Sequence, residues 1–91
     1  MNKRRMRETR YREIVLERPV VRIGKKGASD LLVREIAKRL EKREVVKVKV
    51  LKTALIGGEV DEIAQKVAKE TDSEIIHLRG HTFILYRPKR D

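Results

Sequence analysis

Hydrophobic and polar residues follow two different periods along this chain, and each period predicts a different kind of element. Alternation from Val46 to Val50 predicts a strand in segment 45–51. The alternating valines face a core, while Lys47 and Lys49 share the open face. In segments 30–43 and 59–71, apolar residues instead recur every three or four positions, which predicts two amphipathic helices. We expect the open face of the strand to be solvated, with phosphate contact as the alternative.

Three shorter apolar runs predict the remaining strands. They span residues 20–23, 74–79 and 82–87, and the last two form a hairpin around Gly80 and His81. The element order is therefore β-α-β-α-β-β. Because a strand–helix–strand unit crosses over with a right hand, the first two strands are expected to be parallel. We predict a mixed α/β fold, an α+β sandwich of two layers in which both helices cover one face of a four-stranded sheet.

The chain is short enough for one small domain, which we place at residues 18–91. Residues 1–17 are dominated by arginine and are expected to form a basic N-terminal arm with a short helix from about Arg7 to Leu16. The alternative for this arm is a charged terminus that is merely solvated.

Positive charge dominates the composition, with a formal net charge of +10, and it is unevenly distributed. Residues 1–27 carry ten basic and three acidic side chains, whereas residues 28–73 carry ten and nine. Such a balance predicts attraction to polyanions, of which nucleic acid is the commonest. The second helix is expected to face away from the polyanion, because its segment holds five acids: Glu59, Asp61, Glu62, Glu70 and Asp72.

A Gly-Lys-Lys-Gly sequence joins the first strand to the first helix, which begins after the expected N-cap Ser29. Gly24 and Gly27 lack the Cβ atoms that keep a ligand at a distance, and they permit positive φ angles that turn N–H groups outward. Lys25 and Lys26 add positive charge, and the helix adds its N-terminal partial charge. The turn is thus predicted to hold a phosphate backbone; the alternative is an ordinary strand-to-helix connection.

Further basic residues are candidates for the same surface. Arg34, Lys38 and Lys42 recur at helical spacing opposite the apolar face of the first helix. We also expect Arg22 and Arg87 to contact the nucleic acid. The alternative for the helix residues is a solvated basic face.

Several classes of function lack the residues that they need. There is no cysteine, which excludes disulfides, thiol catalysis and cysteine-based zinc sites. No metal-ligand spacing or nucleotide-binding motif occurs, so we expect no metal, cofactor or small-molecule substrate. No apolar run approaches the roughly 20 residues that span a bilayer, and none resembles a secretory signal. We therefore expect a cytoplasmic protein that does not contact membranes.

An enzyme is the alternative of a different class, and its general acid and base would be His77 and His81. Both histidines flank a predicted turn, where a solvated pair is the expected arrangement. We accordingly predict that the protein is not an enzyme. The aromatic residues are Tyr11, Phe83 and Tyr86, and we expect the last two to serve the core. Recognition should therefore use phosphate contacts and shape instead of base stacking.

The order of a short strand, the GxxG turn at 24–27, an amphipathic helix and the Val-Lys-Val-Lys strand resembles the CRM domain family. This family includes the bacterial YhbY proteins and plant organelle splicing factors. The resemblance covers residues 18–89 and includes a terminal Tyr-Arg-Pro. The arginine-rich N-terminal segment departs from the bacterial pattern, so the role of the arm is not implied by the family.

This resemblance implies RNA binding by a domain similar in fold to the C-terminal domain of translation initiation factor three. YhbY-like members associate with precursors of the large ribosomal subunit, so we expect ribosomal RNA as the partner of a monomeric assembly factor. The family's contact residues correspond to Gly24, Lys25, Lys26, Gly27, Arg34, Lys38 and Lys42. The alternative is an Alba-like architectural protein, which has a similar element order and coats DNA or RNA as a dimer.

Overall fold

The elements follow the β-α-β-α-β-β order that the hydrophobic pattern predicts, with one 3₁₀ helix added after the second strand. A computed structural model describes residues 15–57 and 59–88 of the chain. The elements are β1 (Val21–Ile23), α1 (Asp30–Arg43), β2 (Val45–Val50), the 3₁₀ helix (Lys52–Gly57), α2 (Val60–Glu70), β3 (Glu74–Arg79) and β4 (Thr82–Tyr86).

The four strands form one mixed sheet in the order β1-β2-β4-β3. β1 pairs with β2 in parallel, and Val21 lies opposite Val48. β4 is antiparallel to both β2 and β3. The parallel pair confirms the crossover expected for the first strand–helix–strand unit. β1 is an edge strand, and it leads directly into the GKKG turn.

Both helices pack on the same face of the sheet, as predicted for the α+β sandwich. One apolar cluster joins residues of α1, such as Ile36, and of α2, such as Val67, to strand residues that include Phe83. All three side chains are inaccessible to solvent. Burying apolar side chains of this size stabilises the fold by roughly 1.5–3 kcal/mol each.

A smaller cluster covers part of the opposite face. Val45, Ile84 and Tyr86 are buried there, and Val15 and Ile76 pack against them. Val15 is helical, so the end of a helical segment lies on the face that the two-layer prediction leaves open. The rest of the predicted N-terminal helix, from about residue 7 to residue 14, lies outside the described residues.

Lys47 fixes that segment in place. Its Nζ donates to the backbone oxygen of Val15 at 2.6 Å and to that of Glu17 at 2.9 Å. Cations stabilise the carbonyl ends of helices, because those carbonyls lack partners within the helix. The expectation that Lys47 is solvated on an open face is therefore wrong, whereas Lys49 is exposed as expected.

The sheet has two ends with different neighbours. At the end where β1 and β2 finish, here called the loop end, the amide of Leu51 donates to the oxygen of Ile23. The amide of Val50 donates there to the oxygen of His81 in the β3–β4 turn. At the far end, where β2 begins, the amide of Arg87 donates to the oxygen of Glu44. The GKKG turn and the β3–β4 turn thus share the loop end.

Candidate nucleic-acid interface

The GKKG turn is a closed four-residue turn with both lysines at its exposed tip. The amide of Gly27 donates to the oxygen of Gly24 at 2.8 Å, and the amide of Ser29 donates to the oxygen of Gly27 at 3.0 Å. Across the described part of the chain, no carbonyl accepts from the amides of Lys25 and Lys26, and neither ammonium forms an ion pair. The tip therefore offers two cations and two N–H donors to an anion.

The two glycines of the turn have different roles. Gly27 has a φ of 67°, in the left-handed region where a side chain is strained, so the backbone needs glycine there. The φ angle of Gly24 is not positive, so only Gly27 uses the conformational freedom that both glycines permit. A Cβ on Gly24 would meet only Leu51 Cδ1 at 3.6 Å, an ordinary contact. The fold therefore does not require glycine at position 24.

The start of α1 is capped from within the chain. The Oγ of Ser29 accepts from the amide of Leu32 at 3.3 Å, which confirms the expected N-cap. Asp30 lies in the first turn and offsets part of the positive helix end. The lysines of the turn, more than the helix end, are thus the main positive groups at this site.

Arg34, Lys38 and Lys42 are exposed along α1, and we call them the α1 stripe. The first and last residues of the stripe are eight positions apart on the helix, so the stripe extends about 12 Å from the loop end toward the far end. Leu31, whose side chain is 77% exposed, precedes it beside the GKKG turn. The structure brings the stripe and the turn together through their shared helix, as the sequence predicts.

The acids of α1 do not neutralise the stripe. Glu35 accepts from Arg39 at 3.2 Å, and Glu41 lies 3.9 Å from Arg87. Over residues 15–57 and 59–88, the three stripe cations have no ion-pair partner. Their charge is therefore available to an anionic ligand.

Arg87 does not join this surface. Its Nη1 donates to the oxygen of Thr71 at 2.9 Å, and its Nη2 donates to the oxygen of Ala37 at 3.3 Å. The side chain is only 22% exposed. Arg87 thus ties the end of α2 to the middle of α1 at the far end, which argues against the predicted RNA contact. The proposed interface leaves it out.

Arg22 lies on the other side of the sheet from the α1 stripe. It pairs in register with Lys49, which is on the face opposite the helices, and both are exposed. The predicted site residues therefore divide between two surfaces that meet at the GKKG turn. Sequence reasoning did not single out Arg79, which the strand register places on the same face as Lys49.

The described residues offer no exposed aromatic ring. Phe83 is fully buried and Tyr86 is 3% exposed, which confirms the prediction that both serve the core. Tyr11 lies outside the described residues. Base stacking on this part of the protein therefore has no platform.

His77 and His81 are half-buried beside the β3–β4 turn. In the described ranges, no group of three or more histidine, cysteine, aspartate or glutamate residues could hold a metal ion. No helix there has the length and apolar character to cross a membrane. The acids of α2 are exposed, Glu59, Asp61 and Glu62 among them, and they occupy the start of that helix.

Comparison with known families gives one match over almost the whole chain. The model of the CRS1/YhbY (CRM) domain matches residues 1–87. The matched residues include the GKKG turn, the α1 stripe and the four strands.

Two relatives carry names that concern RNA. A "probable RNA-binding protein" of Methanocaldococcus jannaschii is 42% identical over 71 residues, which are 78% of this chain and 52% of that protein. The "probable RNA-binding protein" YqeI of Bacillus subtilis is 30% identical over 73 residues, 80% of this chain and 74% of that protein. The chain thus spans about half the length of the archaeal relative.

A solved structure has the same architecture. A hypothetical protein of Staphylococcus aureus, studied in solution and described as a candidate RNA-binding protein, superposes with a TM-score of 0.73. The two chains are 25% identical, and the match covers 100% of this chain and 93% of the other.

Proposed function

This chain belongs to the CRS1/YhbY (CRM) domain family, and from that premise we propose that it is an RNA-binding protein acting in ribosome assembly. Its partner is ribosomal RNA in precursors of the large subunit. The GKKG turn and the α1 stripe hold the RNA backbone, and the protein acts as a cytoplasmic monomer without catalysis. The names of the two relatives support RNA as the ligand. The ribosomal role rests on the resemblance to YhbY-like proteins.

The observation that carries this proposal is Gly24. Neither its φ angle nor the space around it requires glycine, so the protein's own fold does not explain the residue. A phosphate backbone that approaches the turn closely does explain it, because a Cβ at this position would point into the ligand. The exposed amides and ammonium groups of Lys25 and Lys26 then supply the donors.

Binding of this kind recognises the path of the RNA backbone and not the base sequence. Phosphate contacts fix the position of an RNA and carry little sequence information, and the described surface has no aromatic platform for bases. Affinity should fall steeply with salt, because each neutralised phosphate of a single strand contributes about 0.7 to the logarithmic slope. The α1 stripe extends the contact along the helix from the turn.

The test compares the wild type with Lys25→Glu/Lys26→Glu. The control is Lys66→Glu/Lys69→Glu, which reverses the charge of two exposed lysines of α2 and therefore has the same net charge as the loop variant. We expect the loop variant to bind a single-stranded RNA at least about tenfold more weakly, since two phosphate contacts become repulsive. Fluorescence anisotropy measures the affinity, and circular dichroism checks the fold.

Crosslinking in cells, followed by sequencing of the bound nucleic acid, tests the partner. The proposal requires crosslinks concentrated in ribosomal RNA that disappear in the loop variant and persist in the α2 control. Diffuse crosslinks to DNA or to all RNA, unchanged by the loop substitutions, would contradict it and favour an architectural protein.

A further inference from the structure

The face of the sheet opposite the helices carries a row of basic side chains at the loop end. Arg22 lies opposite Lys49, Lys49 opposite Thr82, and Thr82 opposite Arg79. Directly paired residues point to the same side of a sheet, so these four side chains share one face. They cross all four strands and span about 14 Å, since neighbouring strands lie about 4.8 Å apart. We call Arg22, Lys49 and Arg79 the sheet row.

A β-bulge puts Arg79 in the row. The register of β3 against β4 shifts between Ile75 and His77, so that Ile75 lies opposite Leu85 and His77 opposite Ile84. Strict alternation from Ile75 would direct Arg79 toward the helices. The extra residue reverses the alternation and brings Arg79 to the same face as Lys49.

The cations of the row have no partner among residues 15–57 and 59–88. All three are exposed, and none forms an ion pair with another described residue. Lys47, two residues before Lys49 on the same face, is instead bound to two backbone oxygens. Within β2, the charge of Lys47 is thus used by the fold, whereas the charge of Lys49 remains available to a ligand.

We propose that the sheet row binds the sugar–phosphate backbone of the same single RNA strand that the GKKG turn holds. This inference rests on the proposed function, because the strand reaches the row from the turn. Arg22 precedes the turn by one residue, Ile23, and the end of β2 is hydrogen-bonded to Ile23 on one side and to His81 on the other. The row and the turn are therefore parts of one continuous rigid end of the sheet.

Electrostatics favours this route over the helix-covered face near β4 and β3. α2 follows β2 and begins at the loop end, and its first residues carry the exposed acids Glu59, Asp61 and Glu62. Those carboxylates repel a phosphate backbone. The opposite face at the same end carries the sheet row, so a strand leaving the turn in that direction meets cations there.

The surface suits a single strand. A single row of cations can follow one backbone, and without an exposed aromatic ring in the described part of the chain its contacts go to phosphates and not to bases. The other half of the face is closed by the cluster of Val45, Ile84 and Tyr86 with Val15. The part of this face that no other described residue covers is thus a strip across the loop end.

The experiment uses the full chain and two uridine oligomers, one of about four nucleotides, which matches a GxxG loop, and one of about 12. The test variant is Lys49→Gln/Arg79→Gln. The control is Lys66→Gln/Lys69→Gln, which removes two exposed charges from α2. Anisotropy measures the longer oligomer at several salt concentrations, and chemical-shift titration measures the shorter one. Both variants are checked for their melting temperature.

We expect the sheet variant to bind the longer oligomer about five- to tenfold more weakly, with the salt slope reduced by about 1.4 for two lost phosphate contacts. Binding of the short oligomer should equal that of the wild type, and the control should lose less for either length. Equal losses in the sheet variant and the control would overturn the sheet row while leaving the loop intact.

Two further results separate this inference from the proposed function. If Lys25→Glu/Lys26→Glu binds both oligomers as the wild type does, the proposed contact between the loop and RNA is wrong. The inference that one RNA strand contacts both the loop and the sheet row is then wrong as well. If a duplex RNA of the same length binds more tightly than the single strand and loses that affinity in the sheet variant, the row binds duplex, and the single-strand proposal is wrong.

Discussion

The two ends of the sheet use the same residue types in opposite ways. At the far end, Arg87 donates to the backbone oxygens of Thr71 and Ala37. At the loop end, Lys25 and Lys26 have no such acceptor among the described residues. Both helices begin at the loop end and finish at the far end. Free carbonyls, which attract cations, therefore gather at the far end, and free N–H groups gather at the loop end.

This difference teaches that the direction of the helices contributes to what a basic residue does. A cation near a helix C-terminus can donate to carbonyls of its own chain, as Arg87 does to that of Thr71 at the end of α2, whereas Lys42 in the last turn of α1 stays exposed. A cation near the N-terminus finds none, so its charge stays available to a ligand. The formal net charge of +10 therefore overstates the charge that is available to a ligand, since part of it stabilises the far end.

The strongest test of the comparison is Arg87→Ala. The substitution removes two donors to backbone oxygens from a side chain that is only 22% exposed. We expect the free energy of unfolding to fall by about 3 kcal/mol, because hydrogen bonds from charged groups contribute about 1.5–3 kcal/mol each. Urea denaturation measures the loss. RNA affinity of the folded protein should be unchanged, and a selective loss of affinity would return Arg87 to the interface.

Lys47 and Lys49 sharpen the comparison within one strand. Lys47→Met removes the two hydrogen bonds to Val15 and Glu17, so we expect stability to fall by about 1–2 kcal/mol. Lys49→Met should leave stability within about 0.5 kcal/mol and weaken RNA binding. Urea denaturation and anisotropy on both variants provide the check. Equal stabilities would show that the Lys47 contacts contribute nothing to the fold.

The two glycines of the turn give the smallest expected effect. Gly27→Ala places a side chain at a φ of 67° and should cost about 1 kcal/mol of stability. Gly24→Ala meets no backbone conflict and should leave the melting temperature unchanged while it weakens RNA binding. Thermal melting and anisotropy separate the two. A Gly24→Ala variant that binds RNA with full affinity would show that the RNA backbone does not approach position 24 closely.

The fold was predictable because its patterns are local. Alternation identified β2, and helical spacing with a serine cap gave the bounds of α1, Asp30–Arg43. The 3₁₀ helix, Lys52–Gly57, was missed because its short segment has no clear period. The β-bulge at Ile76 was also missed, since one extra residue leaves no signal in a run of apolar residues.

The arrangement of the candidate site was predictable where the site is contiguous in sequence. The GKKG turn and the α1 stripe belong to one strand–helix unit. The internal contacts of Arg87 could not be foreseen because its acceptors lie 16 and 50 positions away, and the acceptors of Lys47 lie 32 and 30 positions away. Hydrogen bonds over such distances leave no periodic trace, so the chain alone cannot distinguish a bound cation from a free one.

The parallel attachment of β1 has a mechanical consequence. A pull on the GKKG turn acts along the axis of a three-residue edge strand. That strand is bonded at both ends, from the amide of Val20 to Lys47 at 3.1 Å and from that of Leu51 to Ile23 at 2.8 Å. Force along the axis is shared by these bonds at once, whereas force across it would break them in turn. The attachment of β1 therefore resists a pull along the strand more strongly than a pull across it.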